Sequence, residues 1–304
     1  MYWGGGSQRN DCGTPVKCIV YLNGQWFSYK DANVSVFDHG FLYGDSIFET
    51  FRTYDGKPFL FGAHIDRLFR SADRISLDIP FTKKFLKQTV LKTATHFWEK
   101  YTYSDLYIRI IISRGIGDIG FDPALCKKPT SIIIVKTFSP LPDHLYKKGV
   151  RMTISSIIRN HPLALDPNIR SGNYLNNILA YIDAKKEKSY DAIMLNHKGW
   201  IAEATNSNVF MVRDNKVYTP ALSHGLLKGL TREFIMRVAD QLKIKIKEAN
   251  ITSKALISAD ECFISSSLRE ILPVTECVYR GEKCSIGTGK PGQVTQKLMR
   301  CFWT

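Results

Sequence analysis

The chain has 304 residues, 44% hydrophobic, 12% aromatic and 23% charged, which excludes a disordered, collagen-like or disulfide-stapled polypeptide and allows one large domain or two modest ones. No run approaches the roughly 18 apolar residues of a membrane-spanning helix, and residues 1–17 read as a loose lead-in without the apolar stretch of a signal peptide. Lys+Arg 42 against Asp+Glu 28 gives a net charge of +14, which suits nucleic acid or a small anionic ligand. The basic residues are scattered, and Lys243, Lys245 and Lys247 alternate with Ile244 and Ile246 as the wet face of a strand would.

Residues 18–29 are predicted to form a hairpin turning at Asn23-Gly24. VSVFDHGFLYGDSIFETFRTYDGKPFLF follows, with turn glycines at 40, 44 and 56. From His64, the apolar residues Ile65, Leu68, Phe69, Ala72 and Ile75 recur at helical spacing, and a second helix is expected over 82–98. Leu106–Ser113 and Thr130–Lys136 are nearly continuous apolar runs, read as buried strands. The segment 137–149 has two prolines and no period and is read as a linker. It divides a smaller N-terminal domain, 18–136, from a larger one, 150–304. The latter opens on a strand at Met152–Ile158. Leu175, Ile178, Leu179 and Ile182 then mark a helix, as do Ile235, Val238, Ala239 and Leu242, each set at i, i+3, i+4 and i+7. Short strands are expected at 191–195, 199–203, 207–213 and 216–219, then near 244–248 and 261–265. Strand runs mixed with separate helices argue an α+β fold in two lobes rather than a βαβ repeat.

Seven cysteines, at 12, 18, 126, 262, 277, 284 and 301, form no CxxC pair, and reduced cytosolic thiols fit better than a disulfide frame or a zinc site. The histidines show no HExxH spacing, so no metal is expected. Gly115-Ile-Gly117-Asp-Ile-Gly120 matches GxGxxG after a strand, but FDPALCKKP follows where a dinucleotide site needs a helix, and a glycine-rich loop is the better reading. Leu227-Lys-Gly-Leu-Thr231-Arg precedes a helix expected from about Arg232. There Gly229 lets the backbone turn, so that the N–H groups of Leu230 and Thr231 form a phosphate cradle or simply a capped helix start. Ser265-Ser266-Ser267 either adds hydroxyls to the same anion or is an ordinary loop. Glu203 ends an apolar strand before small polar residues, either solvated or held for a purpose.

In order along the chain, the segments YLNGQW, FDHGFLYGDSIFE, HIDRL, LYIR, SRGIGDIGFDP, SGNYLNNILA, EATNSNVF, LKGLTRE and SSSLREILPV resemble the class IV, fold-type IV family of pyridoxal-phosphate aminotransferases. That family holds branched-chain and D-amino-acid aminotransferases and aminodeoxychorismate lyase. The resemblance implies that Arg67, the N–H groups of Leu230 and Thr231, and Ser267 with Ser266 beside it hold the cofactor phosphate. It implies that Glu203 keeps the pyridine nitrogen protonated and that Tyr174 hydrogen-bonds near the ring's phenolate oxygen. Tyr43, Phe48, Tyr107 and Arg109 match residues that shape the substrate pocket, some of them crossing from the partner subunit of a homodimer.

Two positions depart from the family pattern. Ile169-Arg170-Ser171 places an arginine where the family carries its Schiff-base lysine, and a guanidinium with pKa above about 12 can neither form the imine nor shuttle a proton. Lys228, the nearest lysine in a matching motif, occupies a slot beside the phosphate. Ser266-Ser267-Leu268-Arg269 replaces a Gly-Thr-Ala-Ala run, so that Leu268 and Arg269 alter the substrate wall, with Arg269 adding a charge for a carboxylate. The resemblance therefore implies a cytosolic, homodimeric aminotransferase acting on branched-chain amino acids and 2-oxoglutarate, strongly impaired by Arg170, with no nucleic-acid or membrane partner. The alternatives are a D-amino-acid aminotransferase, an aminodeoxychorismate lyase, or a non-catalytic protein that binds the cofactor without a covalent link.

Overall fold

Asn23 and Gly24, at φ 48° and 102°, take the left-handed conformation that a two-residue hairpin turn demands. They join β1 (Cys18–Leu22) to β2 (Gln25–Ser28) in antiparallel register. The structure, a computed structural model, describes residues 17–302. Residues 1–16 of the expected lead-in, with Cys12, lie outside the described residues. The described chain divides into two units between Ser139 and Pro140.

In the first unit a short helix, α1 (His39–Tyr43), starts where the Asp38 side chain accepts from the Gly40 N–H. β3 (Ser46–Tyr54) and β4 (Lys57–Pro58) follow, then α2 (Phe61–Arg74) and α3 (Lys83–Lys100). Thr82 caps α3 by accepting from the Phe85 N–H, a contact worth about 1 kcal/mol. β5 (Leu106–Ser113) and β6 (Thr130–Thr137) complete a six-stranded antiparallel sheet in the order β2-β1-β6-β5-β3-β4. α2 packs on β3, and α3 on β1 and β6. The expectation that β5 is buried on both faces is corrected. Leu106, Ile108, Ile110 and Ile112 are buried, whereas Tyr107, Arg109 and Ile111 are half-buried. This is the alternation of an antiparallel strand with its core on one face.

The glycine-rich stretch is a loop, as expected. After Gly120 only a single 3-10 turn, Pro123–Leu125, forms. The loop lies along α1, with the His39 N–H donating to the Gly115 carbonyl and the Gly117 N–H to the Phe37 carbonyl. Gly115 sits at φ 103°, and a Cβ there would fall 1.8 Å from the Lys128 carbonyl oxygen.

The boundary between the units falls within the linker expected over 137–149. Thr137 ends β6, and α4 (Asp143–Lys148) occupies the second half of the segment. Pro142 stands at the α4 N-cap, Asp143 and the Lys147–Lys148 pair complement the helix dipole, and Gly149 at φ 77° ends the helix. The second unit then runs β7 (Val150–Ile154), α5 (Leu175–Lys186), β8 (Asp191–Leu195), β9 (Ile201–Ala204), β10 (Asn208–Arg213) and β11 (Lys216–Pro220). It continues with α6 (Leu230–Gln241), β12 (Ile246–Ala249), α7 (Ser253–Ile257), β13 (Glu261–Ser266), β14 (Glu270–Tyr279), β15 (Glu282–Ser285) and α8 (Gln293–Arg300). Its sheet follows the path β12-β11-β10-β13-β14-β7-β8-β9, with β15 on β14. The pairs β11–β12, β14–β7 and β7–β8 are parallel and the rest antiparallel. Met152, Ile193, Val209, Ile264, Leu272 and Val274 lie in one core cluster.

α5 forms where its periodicity places it but with the opposite face inward. Leu175, Ile178, Leu179 and Ile182 are 67%, 49%, 45% and 46% exposed, while Asn177, Ala180 and Ala184 are buried. Small residues face the sheet because α5 lies close on β7 and β8, and the Asn177 amide donates to the Thr205 carbonyl at 2.6 Å.

Gly115→Ala forces both a steric overlap and an unfavourable φ. Urea unfolding of this variant is expected to show a loss of roughly 2–4 kcal/mol; an unchanged midpoint would contradict the packing described for this loop.

Candidate functional site

Glu203 resolves the choice that the sequence leaves open. It lies on β9, 5% exposed, and both carboxylate oxygens are taken. Arg159 Nε donates to Oε1 at 2.9 Å, and the Leu227 N–H donates to Oε2 at 3.1 Å. Arg159 Nη1 also reaches Asn176 Oδ1 at 3.3 Å. A buried ion pair is tolerated when its remaining polar atoms are hydrogen-bonded in this way.

The loop leading into α6 is held from three sides. Besides Glu203, Asn168 Oδ1 accepts from the Lys228 N–H at 3.1 Å, and Asn208 Nδ2 donates to the Leu227 carbonyl at 3.0 Å. α6 starts at Leu230, two residues before the expected start, with Gly229 as an N-cap that has no side chain to accept from the first turn. A Cβ on Gly229 would lie 1.9 Å from Asn208 Oδ1, so any side chain there must displace the Asn208 amide. Leu230 and Thr231 are buried, and Thr231 Oγ1 lies 3.4 Å from Ser267 Oγ. Backbone N–H groups at the positive end of a twelve-residue helix, with two hydroxyls converging beside them, suit a phosphate. Ser266 ends β13 one residue earlier.

Arg170 is half-buried and donates from Nη1 to Tyr174 Oη, with its guanidinium carbon 5.9 Å from the Tyr174 ring. Tyr174 is the N-cap of α5. Lys228 extends to Glu233, Nζ to Oε1 2.8 Å, and its side chain is more than half exposed. Leu268 is half-buried in the β13–β14 turn. The Arg269 guanidinium is hydrogen-bonded within the unit, to neutral acceptors that leave its charge in place. Nε donates to Tyr190 Oη at 2.7 Å, and Nη1 donates to Ser207 Oγ at 3.1 Å and to Asn206 Oδ1.

The remaining expected residues lie in the first unit. Arg67 is buried on α2 and grips Glu49 of β3 side-on, Nε to Oε1 at 2.6 Å and Nη2 to Oε2 at 2.8 Å. His64 Nδ1 lies 2.7 Å from Glu49 Oε2. Complete burial pushes the Glu49 carboxyl upward, yet Arg67 and His64 outweigh it and hold the group well below the ordinary carboxylate range. An ionised carboxylate only accepts, so the His64 proton sits on Nδ1. Phe48, Tyr107 and Arg109 share one face of the sheet, where the Arg109 guanidinium carbon lies 4.0 Å from the Phe48 ring centroid. This is a cation–π contact. Lys136 Nζ lies 5.1 Å from the Tyr107 ring centroid. Tyr43 stands apart on α1, where its Oη accepts from the Gly120 N–H at 3.1 Å and its ring meets Phe121.

Sequence reasoning missed Arg159, Asn168, Asn208, Glu49 and His64. Arg159 and Asn168 lie in an aperiodic stretch that offers no signal. His64 and Arg67 did carry one, since they interrupt the buried apolar stripe of α2 one turn apart, and polar groups on a core face need partners.

The sequence model of amino-transferase class IV matches residues 46–277. The chain is 40% identical over 283 residues to a putative branched-chain-amino-acid aminotransferase of Methanocaldococcus jannaschii, covering 93% of this chain and 94% of the relative. It is 35% identical over 292 residues to the aminodeoxychorismate lyase of Bacillus subtilis, 93% of each. Among solved structures it is similar to the branched-chain amino acid aminotransferase of Escherichia coli, at TM-score 0.86 and 28% identity, covering 94% of this chain and 93% of that one.

Gly229→Ala displaces Asn208 and spoils the start of α6. Inorganic phosphate binding, read by calorimetry, is expected to weaken about tenfold or more; unaltered affinity would exclude this helix start as the anion site.

Proposed function

The chain belongs to the class IV family of pyridoxal-phosphate aminotransferases, and from that premise we propose that it binds pyridoxal 5'-phosphate reversibly and transfers amino groups between branched-chain amino acids and 2-oxoglutarate, slowly, because of Arg170. The observation that carries this reading is the Glu203 carboxylate. One oxygen is fixed by Arg159 and the other by the loop that opens α6. A carboxylate for a pyridinium nitrogen and a cradle for a phosphate thus belong to one hydrogen-bonded piece. The close approach of Asn208 to the glycine N-cap at 229 is a second sign of fit.

In this reading the Leu230 and Thr231 N–H groups and the Ser266 and Ser267 hydroxyls bind the phosphate. Glu203 holds a proton on the ring nitrogen. Tyr174 Oη accepts from Arg170, which leaves the phenol proton to donate to a ring oxygen. Tyr43, Phe48, Tyr107 and Arg109 are assigned to the walls of the substrate pocket. When bound, the cofactor supplies an electron sink for a carbanion at the amino-acid α-carbon. Position 170 is where proton transfer fails, since a guanidinium remains protonated at working pH. Lys228, extended to Glu233, does not take over the lysine's work. Arg170 also favours a second reading, a non-catalytic protein that binds the cofactor.

The branched-chain donor is supported by the name of the Methanocaldococcus jannaschii relative. We assign a homodimer because apolar side chains stand out from both units: the α5 stripe, and Phe41, Ile119 and Phe121 at 71%, 71% and 89% exposure. A cytosolic location accords with Cys18, Cys126, Cys262, Cys277 and Cys284 being free thiols. No helix among the described residues is long and apolar enough to cross a membrane.

Arg170→Lys is expected to raise leucine–2-oxoglutarate transamination by about 100-fold or more, and borohydride should fix the cofactor to the introduced amine in that variant alone. A lysine variant no faster with any amino donor would remove position 170 from the chemistry; an unsubstituted protein already as fast would exclude the non-catalytic reading. Pyruvate release from aminodeoxychorismate would identify a lyase instead. Sedimentation should show a dimer that Ile178→Glu dissociates, and a monomer of the unsubstituted chain would overturn that assignment.

A further inference from the structure

Arg269 stands two residues beyond Ser267 in the turn between β13 and β14, and that turn is fixed at main-chain and side-chain level together. The Arg269 N–H donates to the Ser266 carbonyl at 3.2 Å, and the Arg269 carbonyl accepts from Tyr146 Oη at 3.2 Å. The next residue, Glu270, takes φ 58°. The guanidinium crosses to a second turn, between β9 and β10, where it meets Asn206 and Ser207, and it reaches Tyr190 just before β8. The two turns are neighbours because β10 pairs with β13, with Asn208 opposite Ser265.

The second turn is itself a firm support. Thr205 Oγ1 donates to the buried Asp191 Oδ1 at 2.6 Å, and the Thr205 carbonyl accepts from Asn177. It follows Glu203 by two residues. The planar guanidinium fork holds several acceptors at once with little further loss of freedom, so it braces one turn against the other.

We propose that Arg269 is a positioning residue that holds the Ser267 hydroxyl beside Thr231 and so sets affinity for the phosphate end of the ligand. This rests on the assignment of Ser267 to the cofactor phosphate. It gives Arg269 a place in cofactor retention rather than in recognition of a substrate carboxylate. The phosphate-free ligand, pyridoxal, does not engage Ser267, and its binding does not depend on the brace.

The test measures pyridoxal 5'-phosphate and pyridoxal affinities, by fluorescence titration of the full chain, in Arg269→Ala, Ser267→Ala and the double variant. Each single change is expected to weaken pyridoxal phosphate about tenfold and leave pyridoxal unchanged. The double variant should fall within about twofold of Ser267→Ala, because the two side chains act as one. Arg269→Lys keeps the charge but not the fork; it should show the same phosphate-selective loss and serves if the alanine variant does not fold. Equal weakening of both ligands, or losses that multiply in the double variant, would overturn the proposal and leave Arg269 a structural residue. Unchanged affinity in Ser267→Ala would overturn the phosphate assignment itself, and the proposal with it.

Discussion

The organisation of the second unit depends on a single buried carboxylate whose two oxygens have different tasks. Arg159 neutralises Glu203 through one oxygen, and the backbone of Leu227 binds the other. Removal of the guanidinium would strand a charge of the kind that costs about 3–5 kcal/mol when unpaired. Loss of the backbone contact would release the loop that aims α6. Charge and chain direction are therefore coupled at one residue, and Asn168 and Asn208 extend the same hold along the loop.

The first unit repeats the device with other parts. Glu49, wholly buried, is gripped side-on by Arg67 and from the adjacent turn of α2 by His64. In both units a carboxylate on a strand orients an arginine from another segment, and the pair survives burial because nearly every lone pair and proton in it has a partner. Arg170 differs in kind. Its guanidinium donates to the Tyr174 hydroxyl rather than to a carboxylate.

Much of the architecture is legible in the sequence where periodicity or turn chemistry acts locally. The Asn23-Gly24 hairpin, α2, α3 and the strands from β8 to β11 form close to where those signals place them. β14 carries no such signal, although it is the longest strand of its sheet, because Pro273 and the polar positions Thr275 and Glu276 break the alternation; yet Pro273 lies opposite Phe263 in register. The site is half legible. The turn at Gly229 and the helix start after it are carried by six adjacent residues, Leu227 to Arg232. The state of Glu203 depends on Arg159, 44 positions earlier, and no local pattern carries that information. The partners of Arg269, which are Tyr190, Asn206 and Ser207, likewise lie far along the chain and leave no local pattern.

The inverted orientation of α5 separates two selective pressures that usually fall on the same residues. Its inward side is made of Asn177, Ala180 and Ala184, whose small size and one amide bond secure the helix against β7 and β8. Its bulky apolar side chains contribute little to that core. Drift in Leu175, Ile178, Leu179 and Ile182 can therefore alter what the outer surface recognises while the fold stays intact, and descendants of this chain can change partners without relearning how to fold.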